Sequence, residues 1–130
     1  MIKIIGNSKV LKSMELPAKL FGDITRLVGF TPFYTVHLHT SIDECNPPYI
    51  WHEISHVLQK MKYGLFYWIR TYVSDYVKNM VHMSSSEAYK NIRWEKESYK
   101  IYDMRTLLYY YPEYIHEIIE TQKFYNLRIS

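Results

Sequence analysis

The five residues His52-Glu53-Ile54-Ser55-His56 have a chemical meaning only on an α-helix. Two histidines at i and i+4 project from one helix face a turn apart, so both rings can reach a single tetrahedral metal with a carboxylate beside them. The flanks are written for a helix. Asn46 is suited to cap free backbone N–H groups, Pro47 to the first helical position, and Gly64 to the stop. Ile50, Ile54, Val57, Leu58 and Met61 recur at helical spacing, and at about 100° per residue His52 and His56 fall on the opposite side. The chain holds six His and nine Glu in 130 residues, enough for so short a pattern to arise by accident. Context therefore has to supply a third ligand.

A candidate lies downstream. Ser84 and Glu87 have capping-box spacing and mark a helix start. If one helix continues from there, Ala88, Ile92, Tyr99 and Tyr102 share a face with Glu95 in their midst, and Glu97 points to the far side. A carboxylate among packed apolar side chains is costly unless a cation meets it. Zinc held by His52 and His56 would do so; an inward Lys or Arg would serve as well.

Together these segments carry a resemblance. The Leu16-Pro17-Ala18 turn, a strand, the helix with His52, Glu53, His56 and Gln59, an aromatic second helix and the stretch from Ala88 to Tyr99 resemble the small gluzincin-type metallopeptidase domains. The nearest group comprises minimal peptidase-like domains of unknown function with a His-Glu-x-x-His-x-x-Gln helix and a later Glu-x-Glu-Ala segment. Some are associated with phage-derived injection systems. The similarity spans about residues 16–102. It implies an α+β, mainly helical, minimal zincin-like domain with a short β element before the motif helix, and it makes Glu95 the third metal ligand. It also implies that the strand before that helix borders the cleft and can pair with an extended substrate. Arg93 stands where Pro is common and Ser98 where Ala is usual.

Composition fits one domain over residues 1–130, with C-terminal helices over 103–127. At 48% hydrophobic and 22% charged, the chain can bury a core but has little room for a second domain. No apolar run could span a bilayer and the N-terminal one is too short for a signal peptide, so the expected location is cytoplasmic or virion-associated. Cys45 is alone, which excludes an internal disulfide and favours a small residue packed near a helix cap. The net charge of +3 comes from scattered residues, without the basic patch of a nucleic-acid binder. Fourteen Tyr, five Phe and three Trp predict a core built on rings, or an interaction surface.

The remaining segments read as scaffold. Residues 1–5 form a short strand, and 19–28 a helical stretch broken by Gly22 and closed by Gly29. Phe33 to His39 alternates as a strand, with Phe33, Thr35, His37 and His39 on one face. A second metal on His37 and His39 is the lesser reading, because alternate polar residues are ordinary on a half-exposed strand. Leu65, Ile69, Tyr72 and Tyr76 predict a core helix. From Asp103 to Tyr125 the pattern is a helix interrupted at Pro112. There His116-Glu117-Ile118-Ile119-Glu120 imitates the motif, but reads as a surface turn packed through Ile115, Ile118 and Ile119.

The expected function is a zinc-dependent metallopeptidase acting on a peptide or protein substrate. Zinc held by His52, His56 and Glu95 acidifies water, and Glu53 as general base passes the proton to the leaving amine. By sequence His82, Tyr89 and Tyr99 are the candidate oxyanion donors. The alternative is a zinc-stabilised structural or assembly component, for example of a phage particle or injection apparatus, working through a protein partner or larger assembly. The short chain favours that alternative. Glu53 favours the enzyme, since a structural site needs no base.

Overall fold

A computed structural model of the chain describes residues 1–9, 29–30 and 34–130. The fold is α+β and mainly helical, as expected. Strands β1 (Lys3–Ile5), β2 (Gly29–Phe30) and β3 (Thr35–Leu38) form a sheet in the order β1-β3-β2. β1 runs parallel to β3, pairing Ile4 with Val36, and β2 runs antiparallel to it, pairing Phe30 with His37. The turn expected at Leu16-Pro17-Ala18, the helical stretch at 19–28 and Phe33 lie outside the described residues.

β3 is therefore the middle strand, with a neighbour on each side where an extended substrate was expected to pair. Its polar face is not open either. Val36 and Leu38 are fully buried in the core, and His37 is buried against Ser8, with Nδ1 2.7 Å from the hydroxyl oxygen. The backbone holds that pair together, because the Ser8 N–H donates to Leu38 O at 2.9 Å. Burial pushes the His37 pKa down and the charge of Lys3 adds to the shift.

Helix α1 (Pro47–Tyr63) begins with two prolines at its first positions. They carry no N–H, so the start needs little capping, and the Asn46 side chain makes no cap bond. The Asn46 carbonyl instead accepts from the Tyr49 N–H at 3.1 Å. Gly64 ends the helix at φ 91°, in a region that favours glycine, and its N–H donates to Lys60 O at 2.9 Å. Ile50, Trp51, Ile54, Val57 and Leu58 enter a core with Ile4, Val36, Leu38, Leu107 and Ile118. Met61 departs from the expected stripe and is exposed. The opposite face is covered too, for Ser55, His56, Gln59 and Lys60 are all buried.

Helix α2 (Leu65–Met80) is peripheral, contrary to the core role expected of it. Thr71 is its only buried residue, Leu65, Tyr72 and Tyr76 are half-buried, and Ile69 is exposed with Phe66, Val73 and Val77. The helix docks through polar tips. Trp68 Nε1 donates to Gln59 Oε1, Thr71 Oγ1 accepts from Trp94 Nε1 at 2.8 Å, and Asp75 meets Arg93.

Ser84 caps α3 (Ser85–Lys90) as expected, accepting from the Glu87 N–H. The chain then breaks. Ile92 is extended at ψ 135°, and a separate helix α4 spans Arg93–Ser98. The Asn91 side chain donates back to Glu87 O at 2.8 Å, competing for a carbonyl at the end of α3. Beyond it α5 (Met104–Tyr110) opens on an Asp103–Thr106 capping box, and a 3-10 turn at Pro112–Tyr114 leads into α6 (Ile115–Tyr125), so the interruption at Pro112 is present. α6 anchors the sheet, since Thr121 Oγ1 accepts from the Ile2 N–H and the Tyr125 hydroxyl from the Ile4 N–H, each at 2.9 Å. Ile118 packs inward, while Ile115 and His116 are exposed. Among the described residues no helix is long and apolar enough to cross a membrane.

Candidate metal centre

α1 presents His52 and His56 from one face, and α4 brings Glu95 to them. Glu95 Oε2 lies 3.0 Å from His52 Nε2 and Oε1 lies 2.9 Å from His56 Nε2. The three ligand atoms lie within 4.8 Å of one another, the only such His/Cys/Asp/Glu group among the described residues. A second metal on His37 and His39 has no such support.

Glu95 reaches this position for a reason the sequence reading did not hold. With the helix broken at Asn91 and Ile92, Ala88 and Tyr102 lie outside the helix that carries Glu95, and Tyr99 and Tyr102 are exposed. The inward face of the short α4 is Trp94, Glu95 and Ser98. Among the described residues the carboxylate is met by the two imidazoles and by the Tyr72 hydroxyl, which donates to Oε1 at 3.3 Å.

Electrostatics tie the group together. Burial would raise the Glu95 pKa, but the charge of His56 and hydrogen bonds from both rings hold it well below the usual carboxylate range. Burial would lower the His56 pKa, and Glu95 overrides it, pushing the ring up to about 9. Glu53, next to His52 on α1, lies outside the ligand triplet. Burial raises its pKa, and the two histidine charges only partly offset this. Burial likewise pushes the Cys45 thiol up, in keeping with a packed, unreactive residue.

The surrounding shell is aromatic and polar. The Tyr99 ring sits edge-on to His52 at 4.9 Å, and the Trp68 ring faces His56 at 5.8 Å. Behind Glu95, Tyr72 packs 6.5 Å from Tyr89, and burial together with the Glu95 charge raises the pKa of both hydroxyls. Of the expected oxyanion donors, His82 is exposed just past α2, while Tyr89 and Tyr99 belong to this shell.

Two residues were given no structural part by sequence reasoning. Gln59 Oε1 lies 2.8 Å from His56 Nδ1 and accepts from Trp68 Nε1 at 3.0 Å, while its Nε2 donates to Trp94 O and Ser98 Oγ at 3.0 Å each. Its position three residues after His56, on the same helix face, was the available signal. Glu97, expected to point away, is half-buried and accepts from the Tyr111 hydroxyl and from Gln59 Nε2 at 3.3 Å. Nothing local marks that role, because Tyr111 comes from another element.

Two imidazole nitrogens and one carboxylate oxygen are a donor set that suits zinc and leaves a fourth position open. The spacing fits as well. Bonds of about 2.0–2.1 Å place tetrahedral ligand atoms about 3.3 Å apart, close to the 2.9 and 3.0 Å separations between Glu95 and the two rings. No known protein family, curated protein or solved structure matches this chain.

Proposed function

We propose that the chain is a zinc-dependent metallopeptidase of minimal zincin-like design, with His52, His56 and Glu95 as the ligands and Glu53 as the general base. The observation that carries this reading is the convergence of the three side chains from two helices, with a carboxylate of raised pKa next to them. Zinc, when bound, supplies a Lewis acid that acidifies water and polarises the scissile carbonyl. Glu53 takes a proton from the attacking water as its oxygen bonds to the carbonyl carbon. The C–N bond then breaks, and Glu53 delivers the proton to the departing amine. Burial shifts Glu53 toward neutral pH, where such a base works best. Approach is from the side of His52, whose side chain is 14% exposed, whereas Glu95 is 2% exposed. Tyr99, half exposed and edge-on to His52, flanks that side.

That near-complete burial of Glu95 also favours a second reading, a zinc-stabilised structural or assembly component without turnover, since buried ligands suffice to hold a metal. The two separate in one experiment. The protein, loaded with zinc, is offered a broad peptide library with and without chelator, beside Glu53→Gln. Chelator-sensitive cleavage, lost in Glu53→Gln while zinc content stays near one per chain, is the expected result. A parent protein that binds zinc and cleaves nothing leaves the structural reading.

A further inference from the structure

The hydrogen bonds around Gln59 decide something about His56 that its own position does not. The Trp68 indole N–H can only donate, and it lies 3.0 Å from one atom of the Gln59 amide, so that atom is the oxygen. The Trp94 carbonyl can only accept, and it lies 3.0 Å from the other atom, so that atom is the nitrogen. Two independent neighbours thus fix the same amide orientation. An amide oxygen offers only lone pairs. His56 Nδ1, 2.8 Å from it, must therefore bring the hydrogen.

We infer that Gln59 is a positioning residue that keeps a proton on His56 Nδ1, so that Nε2, 2.9 Å from Glu95 Oε1, is the nitrogen that gives up its proton to a metal. This rests on the reading of the triplet as a metal centre. Gln59 touches neither metal nor substrate; it acts through the ring. A hydrogen bond of this kind fixes ring orientation and makes the coordinating nitrogen a better donor. The amide is itself held from α4, by Trp94 O, Ser98 Oγ and the Glu97 carboxylate, and Glu97 is held in turn by the Tyr111 hydroxyl. Gln59 is fully buried, so water does not compete for these bonds. The helix that supplies Glu95 therefore also sets the tautomer of the histidine opposite it.

Two variants of the full chain separate positioning from packing. Gln59→Met keeps the length and removes every hydrogen bond of the amide. Gln59→Glu loses the donors to Trp94 and Ser98 but keeps an acceptor for His56 Nδ1. Both cost stability. Zinc affinity, measured by chelator competition on folded protein, should fall about 10–100-fold in Gln59→Met and stay within a few-fold of the parent in Gln59→Glu. Cobalt(II) absorption should change shape in Gln59→Met alone. Long-range 1H–15N spectra of the zinc-loaded parent should show the His56 proton on Nδ1, and this measurement decides the matter even where Gln59→Met does not fold. Zinc uptake with the proton on Nε2, or equal zinc affinity in Gln59→Met and parent, overturns the role of Gln59 alone. A parent chain that takes up no zinc overturns the metal-centre reading together with it.

Discussion

Glu95 and Glu97 stand one residue apart on α4 and do different work. Glu95 joins both histidines in a buried group, and removing one member of such a group leaves an uncompensated charge. Glu95→Gln should weaken zinc binding by at least an order of magnitude and destabilise the metal-free protein by about 3 kcal/mol. Glu97→Gln should keep the ligands and zinc. Its cost is not the negligible one of a surface site, because the Tyr111 hydroxyl and the Gln59 amide donate to it. About 1 kcal/mol is the expected loss. Zinc titration and urea melts on the two variants check both statements, and metal loss in Glu97→Gln with retention in Glu95→Gln would reverse the ligand assignment.

At the scale of elements, α4 is too short to be stable alone and has no side-chain cap of its own. Asp75, from α2, takes that place. Its Oδ2 accepts from the Arg93 N–H at 3.1 Å and from Arg93 Nε at 2.8 Å, and Oδ1 accepts from Nη2 at 2.8 Å. A neighbouring helix thus anchors the first turn of the helix that carries Glu95. Hydrogen bonds from Arg93 hold the Asp75 pKa below its ordinary value, against a smaller opposing effect of burial. A carboxylate with a lowered folded pKa stabilises above its unfolded value and loses that contribution as pH falls through the folded one. Asp75→Asn should therefore cost about 1 kcal/mol at neutral pH, given that Arg93 is half exposed. The difference from the parent should shrink below about pH 4. Urea melts from pH 3 to pH 7 test the sign, and a difference that does not change with pH would refute the charge argument.

For the molecule as a whole, His52 and Glu95 lie on different helices and 43 residues apart in sequence, so metal binding would add to the stability of the native state and little to that of the unfolded chain. Zinc at a hundred times its dissociation constant would contribute about 2.7 kcal/mol. Stripping zinc should lower the melting temperature, and restoring it should recover the loss. Glu53→Gln sharpens the test. Because burial raises the pKa of Glu53, its charge destabilises the fold at neutral and higher pH. The metal-free Glu53→Gln protein should thus melt at the parent's temperature or above it. Calorimetry of both proteins, with and without zinc, reads each effect, and a melting temperature indifferent to zinc would argue against the site.

Local sequence determined what depends on neighbours along the chain. The prolines and Gly64 bound α1 because they act on their own backbone, Ser84 caps α3, Pro112 interrupts the C-terminal helix, and the spacing of His52 and His56 sets two rings on one face. Tertiary structure decided what depends on distant partners. The helix expected through Glu95 is two helices, since Asn91 closes the first and Asp75 anchors the second. α2 is apolar enough in sequence to read as core, yet it lies at the periphery and docks through Trp68, Thr71, Tyr72 and Asp75. β3 alternates like an exposed strand, but β1 and β2 flank it and Ser8 covers His37. Gln59 and Glu97 had no visible role because hydrogen bonds to Trp94, Ser98 and Tyr111 leave no periodicity in the sequence. Periodicity records which side of an element faces the core, whereas a polar network is set by which elements meet.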